Sequence, residues 1–542
     1  MSNLLKSNIA VATGTAMSRI TGLVRVMAFG YVLGRSSLTD AYNQANASPN
    51  LIYELALGGV LSSTLVPLFT RLHHERDEEG EVAVRSVAIV VLASLTLIAV
   101  VAAPLVFRAY ASGTSSAVDH DLYLEVGTTL AVFFLIQIFF YGLNALVAAQ
   151  LQARGKFFMA AWAPALSNLV IVASLFLVPG MVNHSQPQLG DVLTNSSLRF
   201  TLGLGATVGI AVMALALVPS LARARVSFAF RPNFRHPAVQ QLRRLSGWAL
   251  GYVVANQVTI LVVQNLLVRS GEGNQTSYFN GFTFFVLPHG LLAMSIATTF
   301  LPEMSRAIAQ RDRTRLIDRT NLGIRLVALL TLPAGFGLFV LRRPVVGLAL
   351  QHGEFTAADA LLASRALAGF ALGLGAFSIY LFVLRAFYAH QDSRTPCIIN
   401  IVENLINIVL AFVLYDRFGL VGIAASFAIA YAVSAMWALQ VLSYKVRGFA
   451  LQPVFAGLFR ITLASAVMAE AVWAATQLVG SNAGGGAAVR VLVGLIVGVV
   501  VFIGVLLVLQ SPEIHELRTR FGRTPGPAVS PPAATHGQVT AQ

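Results

Sequence analysis

Long apolar runs alternate with short polar segments along most of this 542-residue chain. Fourteen runs are long enough to cross a bilayer, since a transmembrane α-helix needs about 20 predominantly apolar residues. The pattern predicts an all-α polytopic membrane protein with spans at residues 8–33, 39–70, 86–110, 122–150, 158–179, 200–221, 245–268, 277–305, 320–341, 358–388, 396–415, 420–444, 456–479 and 486–510.

Composition supports a surface that faces lipid. Hydrophobic residues make up 56% of the chain and charged residues only 11%, with a mean hydropathy of +0.73. A soluble protein does not expose that much apolar area, so the composition excludes an ordinary soluble domain. Residues 511–542 are rich in Pro, Gly, Ala and Thr, and this predicts a disordered tail after the last span.

The formal net charge of +14 is an orientation signal. Six arginines fall in the loop 223–244 and five in the loop 306–319, which lie on the same side of the membrane. Loops rich in Lys and Arg stay in the cytoplasm, so both termini are predicted to be cytoplasmic in a bacterial inner membrane. Because the charge is explained in this way, we expect no nucleic-acid partner.

The two halves of the chain repeat. The stretch "VAAQLQARGKFFMAAWAPALSNLV" ends at residue 170, and "LRAFYAHQDSRTPCIINIVENLIN" places Ala389 and Asn404 236 residues after Ala153 and Asn168. A repeat of six spans keeps its orientation, so we expect two parallel bundles with a cavity between them. The predicted organisation is a bundle at 1–222, a bundle at 223–446, two extra helices at 447–510 and the tail at 511–542.

Polar residues inside spans indicate which helices line that cavity, because polar groups in a membrane must face protein or water. Spans 7 and 8 contain several amides, with His289 and Thr283 also in span 8. Span 2 is the most polar of all, with Asp40, Asn43, Gln44, Asn46, Asn50 and Glu54. We therefore expect spans 1, 2, 7 and 8 to form the cavity walls, with Asn46, Asn50, Glu54, Asn280 and His289 among the substrate-binding residues.

Arg19 and Arg25 lie inside the first span, where one arginine costs roughly 2.5–3.5 kcal/mol on insertion scales. Six residues separate them, or about 9 Å along a helix. A guanidinium can donate two parallel hydrogen bonds to one phosphate group. We therefore interpret both arginines as the positively charged base of a cavity for an anionic, phosphorylated substrate. The alternative is that each pairs with a buried carboxylate, with Asp40 and Glu54 within reach.

Other polar residues in the spans allow two interpretations each. Asp40 either binds substrate or caps a helix. Asn400, Glu403 and Asn404 of span 11 either coordinate a cation or join two helices by hydrogen bonds. His289 is either a proton relay or an interior histidine with a partner. Four arginines near span ends are typical of snorkelling anchors: Arg108, Arg325, Arg385 and Arg460.

The chain contains no zinc-binding motif of metalloproteases, no phosphate-binding loop and no nucleophile motif of serine hydrolases. We therefore predict no catalytic residue and no cofactor. The opening "NLLKSNIAVATGTAMSRITGLVRVMAFGYVLG", together with "TDAYNQANASPNL", "AWAPALSNLV" and "LRAFYAHQDSRTP", resembles the MurJ (MviN) family of lipid II flippases. That family belongs to the multidrug/oligosaccharidyl-lipid/polysaccharide exporter superfamily.

The resemblance implies export of the undecaprenyl-pyrophosphate-linked peptidoglycan precursor to the outer leaflet by alternating access. It implies that Arg19, Arg25 and Asp40 match functional residues of the family, and that spans 13 and 14 form a groove for the lipid tail. Membrane lipids and proteins of cell-wall synthesis and division are the implied partners. The alternatives are a flippase for another polyprenyl-linked oligosaccharide, a drug exporter of the superfamily, or a scaffold without transport.

The chain departs from the family pattern at three positions. Tyr53 and Gly281 stand where many members have an arginine, and Val258 stands where some have an acidic cation ligand. The resemblance therefore implies a smaller cationic cluster and no sodium ligand from span 7. Membrane potential is then the predicted source of energy for transport.

Overall fold

The computed structural model describes residues 2–53, 59–111, 113–182, 186–244, 247–390 and 392–510. Within these ranges it is helical and contains no β-strand. Its first eleven helices are α1 Ser2–Leu33, α2 Ser37–Tyr53, α3 Gly59–Glu75, α4 Glu78–Val101, α5 Ala103–Tyr110, α6 His120–Leu135, α7 Gln137–Ala153, α8 Phe158–Leu175, α9 Asp191–Thr194, α10 Ser196–Leu215 and α11 Val218–Arg223.

The second half contains ten more helices and a π-helical segment, His289–Ala293, between α14 and α15. The helices are α12 Pro237–Arg244, α13 Gly247–Ser270, α14 Asn274–Pro288, α15 Met294–Ala309, α16 Arg313–Leu350, α17 Ala357–Ala371, α18 Leu374–Ala389, α19 Arg394–Lys445, α20 Leu451–Gln477 and α21 Gly484–Val508. The predicted disordered tail, 511–542, lies outside the described residues.

The prediction of an all-α polytopic membrane protein is confirmed. Eleven helical stretches of the described chain are long and apolar enough to cross a bilayer, or twelve if the bent pair α17 and α18 is one span. Predicted span 2 is divided between α2 and α3, each of 17 residues. Predicted spans 11 and 12 are continuous in α19, so these two differences account for the lower count.

Local backbone chemistry explains where the long helices break. Gly419 has φ of +52° and ψ of −130° inside α19, a conformation that side chains with a Cβ rarely adopt, and it separates the two predicted spans. Pro288 lacks a backbone N–H, and the π-helical segment begins directly after it. Helices α17 and α18 meet at an angle of 48°.

The same helix pairings occur in both halves. Helix α1 packs on α8 and α2 on α6, while in the second half α13 packs on α19 and α14 on α17. In the numbering of the predicted spans, span 1 packs on span 5 and span 2 on span 4 in the first half. Span 7 packs on span 11 and span 8 on span 10 in the second half. The two largest hydrophobic clusters follow this division except at one residue. One contains buried residues between 28 and 206 together with Val268 of α13, and the other contains buried residues between 263 and 506. Helices α20 and α21 pack on each other and on α16. The domain boundaries at 222 and 446 stay predictions.

Candidate substrate site

The first two helices meet at a tight corner that positions much of the site. Helix α1 ends at Leu33, and Gly34 follows with φ of +60°, which favours glycine. The Thr39 hydroxyl lies 3.2 Å from the carbonyl oxygens of both Leu33 and Gly34. The hydroxyl therefore satisfies carbonyl oxygens that have no partner within α1, and it holds the first turn of α2 beside the end of α1.

A central cavity of about 210 Å³ lies among α1, α2, α8 and α14. The sequence predicted α1, α2 and α14 as walls, and three of its candidate ligands, Arg25, Asn46 and Asn280, line this one cavity. Helix α13, predicted as the fourth wall, contributes no lining residue among those described. The other lining residues with polar side chains are Thr39, Tyr42, Asn43, Thr276 and Thr283.

Hydrogen bonds fix the amides of α2. Gln137 on α7 donates from Nε2 to Asn46 Oδ1 at 3.2 Å, and Asn43 donates from Nδ2 to Thr276 Oγ1 of α14 at 3.2 Å. Behind the cavity wall, Tyr123 donates its hydroxyl to Gln44 Oε1 at 2.8 Å. Polar groups placed in this way keep a defined orientation, which a recognition site requires.

Arg25 and Arg19 occupy different places. Arg25 lines the central cavity, whereas Arg19 is exposed and lies against the π-helical segment, where a Cβ on Gly290 would be 3.2 Å from its Cζ. Neither guanidinium forms an ion pair with a carboxylate in the part of the chain that the structure describes. The alternative in which Asp40 neutralises one of them is not what the structure shows, and Glu54 lies outside the described residues.

Asp40 is bound to the start of α14. Its carboxylate accepts hydrogen bonds from the backbone N–H of Gly273 at 2.7 Å, from the N–H of Thr276 at 2.8 Å and from the Thr276 hydroxyl at 2.7 Å. A carboxylate at a helix N-terminus satisfies free N–H groups and interacts favourably with the helix dipole. Asp40 therefore caps a helix, but that helix is α14 rather than α2. Its role as a substrate ligand stays a prediction.

Further contacts between the two halves surround Asp40. Arg35 forms a salt bridge with Asp359 at the start of α17, with Nε to Oδ1 at 2.7 Å, and also donates to the carbonyl oxygen of Glu272. The Glu272 carboxylate accepts from the Ser37 N–H at 3.0 Å, and the Glu354 N–H donates to the Tyr31 carbonyl oxygen at 3.0 Å. These contacts hold the α1–α2 corner against the second half at this end of the cavity.

The sequence pattern does not mark Arg35, Glu272 or Asp359 as functional residues. All three lie in or beside short connections, where a charge is usually a solvated surface group. Under the orientation predicted from the charge distribution, Arg35 would lie on the external side, where arginine is disfavoured, and this is the one signal that the sequence offers.

Two remaining candidate ligands lie away from the lining. His289 is buried, its Nδ1 is 2.9 Å from the Ser378 hydroxyl, and its ring centroid is 4.6 Å from that of Phe377. This environment favours the interior histidine with a partner over the proton relay. Asn50 is exposed and is not among the described residues that line the cavity.

Asn400 and Asn404 connect α19 to α13. Their Nδ2 atoms lie 3.2 Å and 3.1 Å from Oδ1 of Asn256, which accepts both hydrogen bonds. Beside them Glu403 is 1% exposed, and one of its carboxylate oxygens has no hydrogen-bond partner among the described residues. The geometry supports the helix-joining interpretation, and cation binding by Asn400, Glu403 and Asn404 stays a prediction.

Close packing explains one departure from the family pattern. A Cβ on Gly281 would come within 2.8 Å of the backbone nitrogen of Leu367, because α14 lies directly on α17 there. An arginine at this position has no room in this arrangement. Val258 is 49% exposed on α13 and supplies no side-chain oxygen for a cation.

The fold and the site define a polytopic membrane transporter with a polar, cationic cavity between its two halves. The family model described as "Lipid II flippase MurJ" matches residues 29–508, and the chain belongs to this family. A probable lipid II flippase MurJ of Vibrio cholerae is 28% identical over 83% of this chain and 84% of its own length. The lipid II flippase MurJ of Burkholderia cenocepacia is 26% identical over 82% and 84%.

Solved structures show the same fold. A structure described as lipid II flippase MurJ in an inward closed conformation has a TM-score of 0.75 and 22% identity, covering 92% of this chain and 99% of its own. An inward-facing multidrug resistance MATE family transporter of the MOP superfamily has a TM-score of 0.59 and 16% identity, covering 79% of this chain and 100% of its own.

Proposed function

We propose that this protein exports lipid II, the undecaprenyl-pyrophosphate-linked peptidoglycan precursor, from the inner to the outer leaflet of a bacterial cytoplasmic membrane. The observation that carries the proposal is the central cavity, which places the guanidinium of Arg25 beside amides and hydroxyls of both halves. A guanidinium suits the pyrophosphate, and amides and hydroxyls suit the sugars. Proteins of cell-wall synthesis and division are candidate partners for this activity.

The direction of access follows from the charge distribution. With the arginine-rich loops in the cytoplasm, the α1–α2 corner and its partners Glu272 and Asp359 lie at the external end. The described conformation is then closed toward the outside. Export requires the hydrogen bonds of Asp40 to the start of α14, and the Arg35–Asp359 salt bridge, to break while contacts at the cytoplasmic end form.

In this mechanism the two bundles, 1–222 and 223–446, move against each other around the central cavity. Arg25 holds the pyrophosphate within the cavity, and Arg19, about 1.7 turns nearer the N-terminus of α1, contacts it first from the cytoplasmic side. Arg19 lies at the π-helical segment of the second half, so headgroup binding there would act on both bundles.

The membrane potential supplies the energy in this proposal. A pyrophosphate diester carries about two negative charges, and moving one charge across the membrane is worth about 2.3 kcal/mol per 100 mV. Outward movement from a negative interior is then favourable by roughly 4–5 kcal/mol per 100 mV if both charges cross the whole field. Arginines that move with the substrate reduce this value.

The test uses vesicles that contain the purified protein and lipid II, with the potential set by potassium and valinomycin and without sodium. We expect outward movement to accelerate with an inside-negative potential. Equal rates at zero potential, with acceleration only by a sodium gradient, would contradict the potential-driven mechanism and direct attention to Asn400, Glu403 and Asn404.

Depletion of the protein in cells should make lipid II accumulate on the cytoplasmic leaflet, and accumulation of a different lipid-linked saccharide would refute the assigned substrate.

A further inference from the structure

A second and larger cavity, of about 870 Å³, lies where α16 meets α20 and α21. Small-molecule sites commonly have volumes of roughly 300–1,000 Å³. We call it the arginine pocket after three of its lining residues, Arg342, Arg343 and Arg490. It shares no described lining residue with the central cavity, so it needs an explanation of its own.

The helices that form the arginine pocket are held firmly together. A Cβ on Gly347 of α16 would be 1.8 Å from the carbonyl oxygen of Asn482, so the α20–α21 turn touches the backbone of α16. Arg490 on α21 is fixed to this turn, since its Nε donates to the Val479 carbonyl oxygen at 2.9 Å and its Nη1 donates to Asn482 Oδ1 at 2.7 Å. Its other guanidinium donors remain available for a ligand.

The two arginines of α16, Arg342 and Arg343, also present guanidinium groups to the pocket. The guanidinium carbon of Arg342 lies 4.8 Å from the ring centroid of Phe339, and Arg342 also donates to the Phe339 carbonyl oxygen. Arg343 is exposed and has neither a hydrogen-bond nor an ion-pair partner among the described residues. Glu470 is the acidic residue of the lining, and within the described chain it forms no salt bridge with these arginines. The pocket therefore keeps an uncompensated positive charge.

The shape of the pocket fits an amphiphile better than a free anion. Below the arginines the lining is apolar, with Phe336, Val340 and Ala469. Trp473 beside it is 56% exposed, and Val467 on the same helix is 42% exposed. A ligand with a phosphate at the level of the guanidiniums and a hydrocarbon chain along α20 would use both parts.

We propose that the arginine pocket binds the phosphate of an anionic phospholipid, with phosphatidylglycerol as the probe. The pocket lies at the same end of the molecule as the α1–α2 corner, because the connection after α16 contacts Tyr31. Under the charge-derived orientation this is the external side, where the positive-inside rule disfavours arginine. Binding of a lipid phosphate gives three arginines at this place a function. The inference goes beyond the proposed transport activity and does not depend on it.

The experiment titrates the detergent-solubilised full chain with phosphatidylglycerol or phosphatidylcholine and counts bound lipids by native mass spectrometry. We expect phosphatidylglycerol to bind in preference. Arg343→Gln should weaken its binding about fivefold, the value of one basic residue near an anionic surface, while Arg343→Lys retains most of it. Glu470→Gln should tighten binding, because it removes the negative charge of the lining. Arg417→Gln is the matched control, since Arg417 is an exposed arginine outside the pocket.

Several outcomes would overturn the proposal. Equal binding of both phospholipids, or the same loss with Arg417→Gln as with Arg343→Gln, would mean that the arginines are general interface anchors. Competition by inorganic phosphate at equal concentration would mean a free-anion site, and binding of a polyprenyl diphosphate without phosphatidylglycerol would mean a site for transported lipid. None of these measurements requires flipping, so their failure is distinct from failure of the transport proposal.

Discussion

Helix α2 and its repeat counterpart α14 both line the central cavity, but different chemistry holds them in place. Helix α2 is supported by polar contacts, through Gln44 to Tyr123 and through Asn46 to Gln137, and by one aromatic residue, Tyr42, whose ring centroid is 4.9 Å from that of Phe134. Helix α14 is supported by aromatic packing, with Phe282 and Phe285 each 5.5 Å from the ring centroid of Phe370. Phe427 of α19 packs on the same cluster.

The difference separates two tasks between the halves. The first half supplies the charge of the cavity through Arg25, while the second half lines it with Thr276, Asn280 and Thr283 on an apolar support. Gly281 shows why the second half adds no cation at that turn, since α17 occupies the space. Substitution of Arg25 in the first half should therefore affect recognition, and substitution of Gly281 in the second half should affect stability.

The largest expected effect is loss of function without loss of protein. Arg25→Ala and Arg19→Ala should each abolish complementation of a depletion strain at normal membrane levels, because each removes a guanidinium proposed to bind the pyrophosphate. Arg25 is also the one charged residue among the described residues that line the central cavity. Lysine at either position should restore function only partly, since a point charge lacks the planar fork of the guanidinium. Arg417→Ala serves as the control and should complement fully. Full complementation by either cavity variant would refute the phosphate-site interpretation.

In the second half the corresponding change should act on stability. Gly281→Ala should lower the free energy of unfolding by about 1–3 kcal/mol, because its Cβ would press on the backbone of α17. Gly337→Ala is the matched control, since a Cβ there meets nothing within 4 Å. Thermal unfolding in detergent measures both variants. An unchanged Tm for Gly281→Ala would show that α14 and α17 separate at little cost.

Solvent access gives a smaller and more local comparison. After replacement of Cys397 by Ser, cysteines at Asn46 and Thr283 should react with a small aqueous thiol reagent, because both positions line the central cavity. Cysteines at Leu95 and Val499 should stay protected by lipid, as both lie on apolar helices away from it. Labelling to the same extent at all four positions would mean that the cavity walls are wrongly assigned.

The smallest expected effect concerns the ion pair that, in each half, stabilises the loop before the fifth span. In the first half Arg154 pairs with Glu81 at 2.5 Å, and in the second half Lys445 pairs with Asp392. Although partial burial opposes it, hydrogen bonds from Lys445 and Thr395 and the charge of Lys445 lower the pKa of Asp392 to about 2. Its contribution to stability is therefore present above pH 4 and lost as the pH falls toward 2.

Asp392→Asn should remove that contribution, and the loss should be small because the pair is partly exposed. The difference in Tm between the variant and the unmodified protein should shrink as the pH is lowered from 5 to 2. A difference that stays constant over this range would show that the ion pair does not stabilise the loop.

The sequence predicted those features that depend on local pattern. Apolar length identified the helices, and polar residues in apolar spans identified Arg25, Asn46 and Asn280 as neighbours of one cavity. Contacts between residues that are far apart in the chain could not be predicted. Arg35 and Asp359 are 324 residues apart in the chain, and nothing in either local sequence indicates the other.

Asp40 illustrates the same limit. The sequence placed this carboxylate near the start of a helix, which made a helix cap a reasonable alternative. Which helix it caps depends on how the two halves meet, and in this conformation that is α14. Similarly, the place of Arg19 depends on the π-helical segment after Pro288, whose geometry no hydropathy pattern indicates.

The small volume of the central cavity has a consequence for measured affinity. A space of about 210 Å³ is smaller than the roughly 300–1,000 Å³ of sites for drug-sized ligands, and a disaccharide with its pyrophosphate and peptide is larger than such a ligand. The headgroup therefore binds to a wider conformation, and the apparent Kd equals the intrinsic Kd divided by the fraction of molecules in that conformation. A change far from the cavity that makes the wider form ten times more common would, while that form stays rare, tighten binding about tenfold without adding one contact to the substrate.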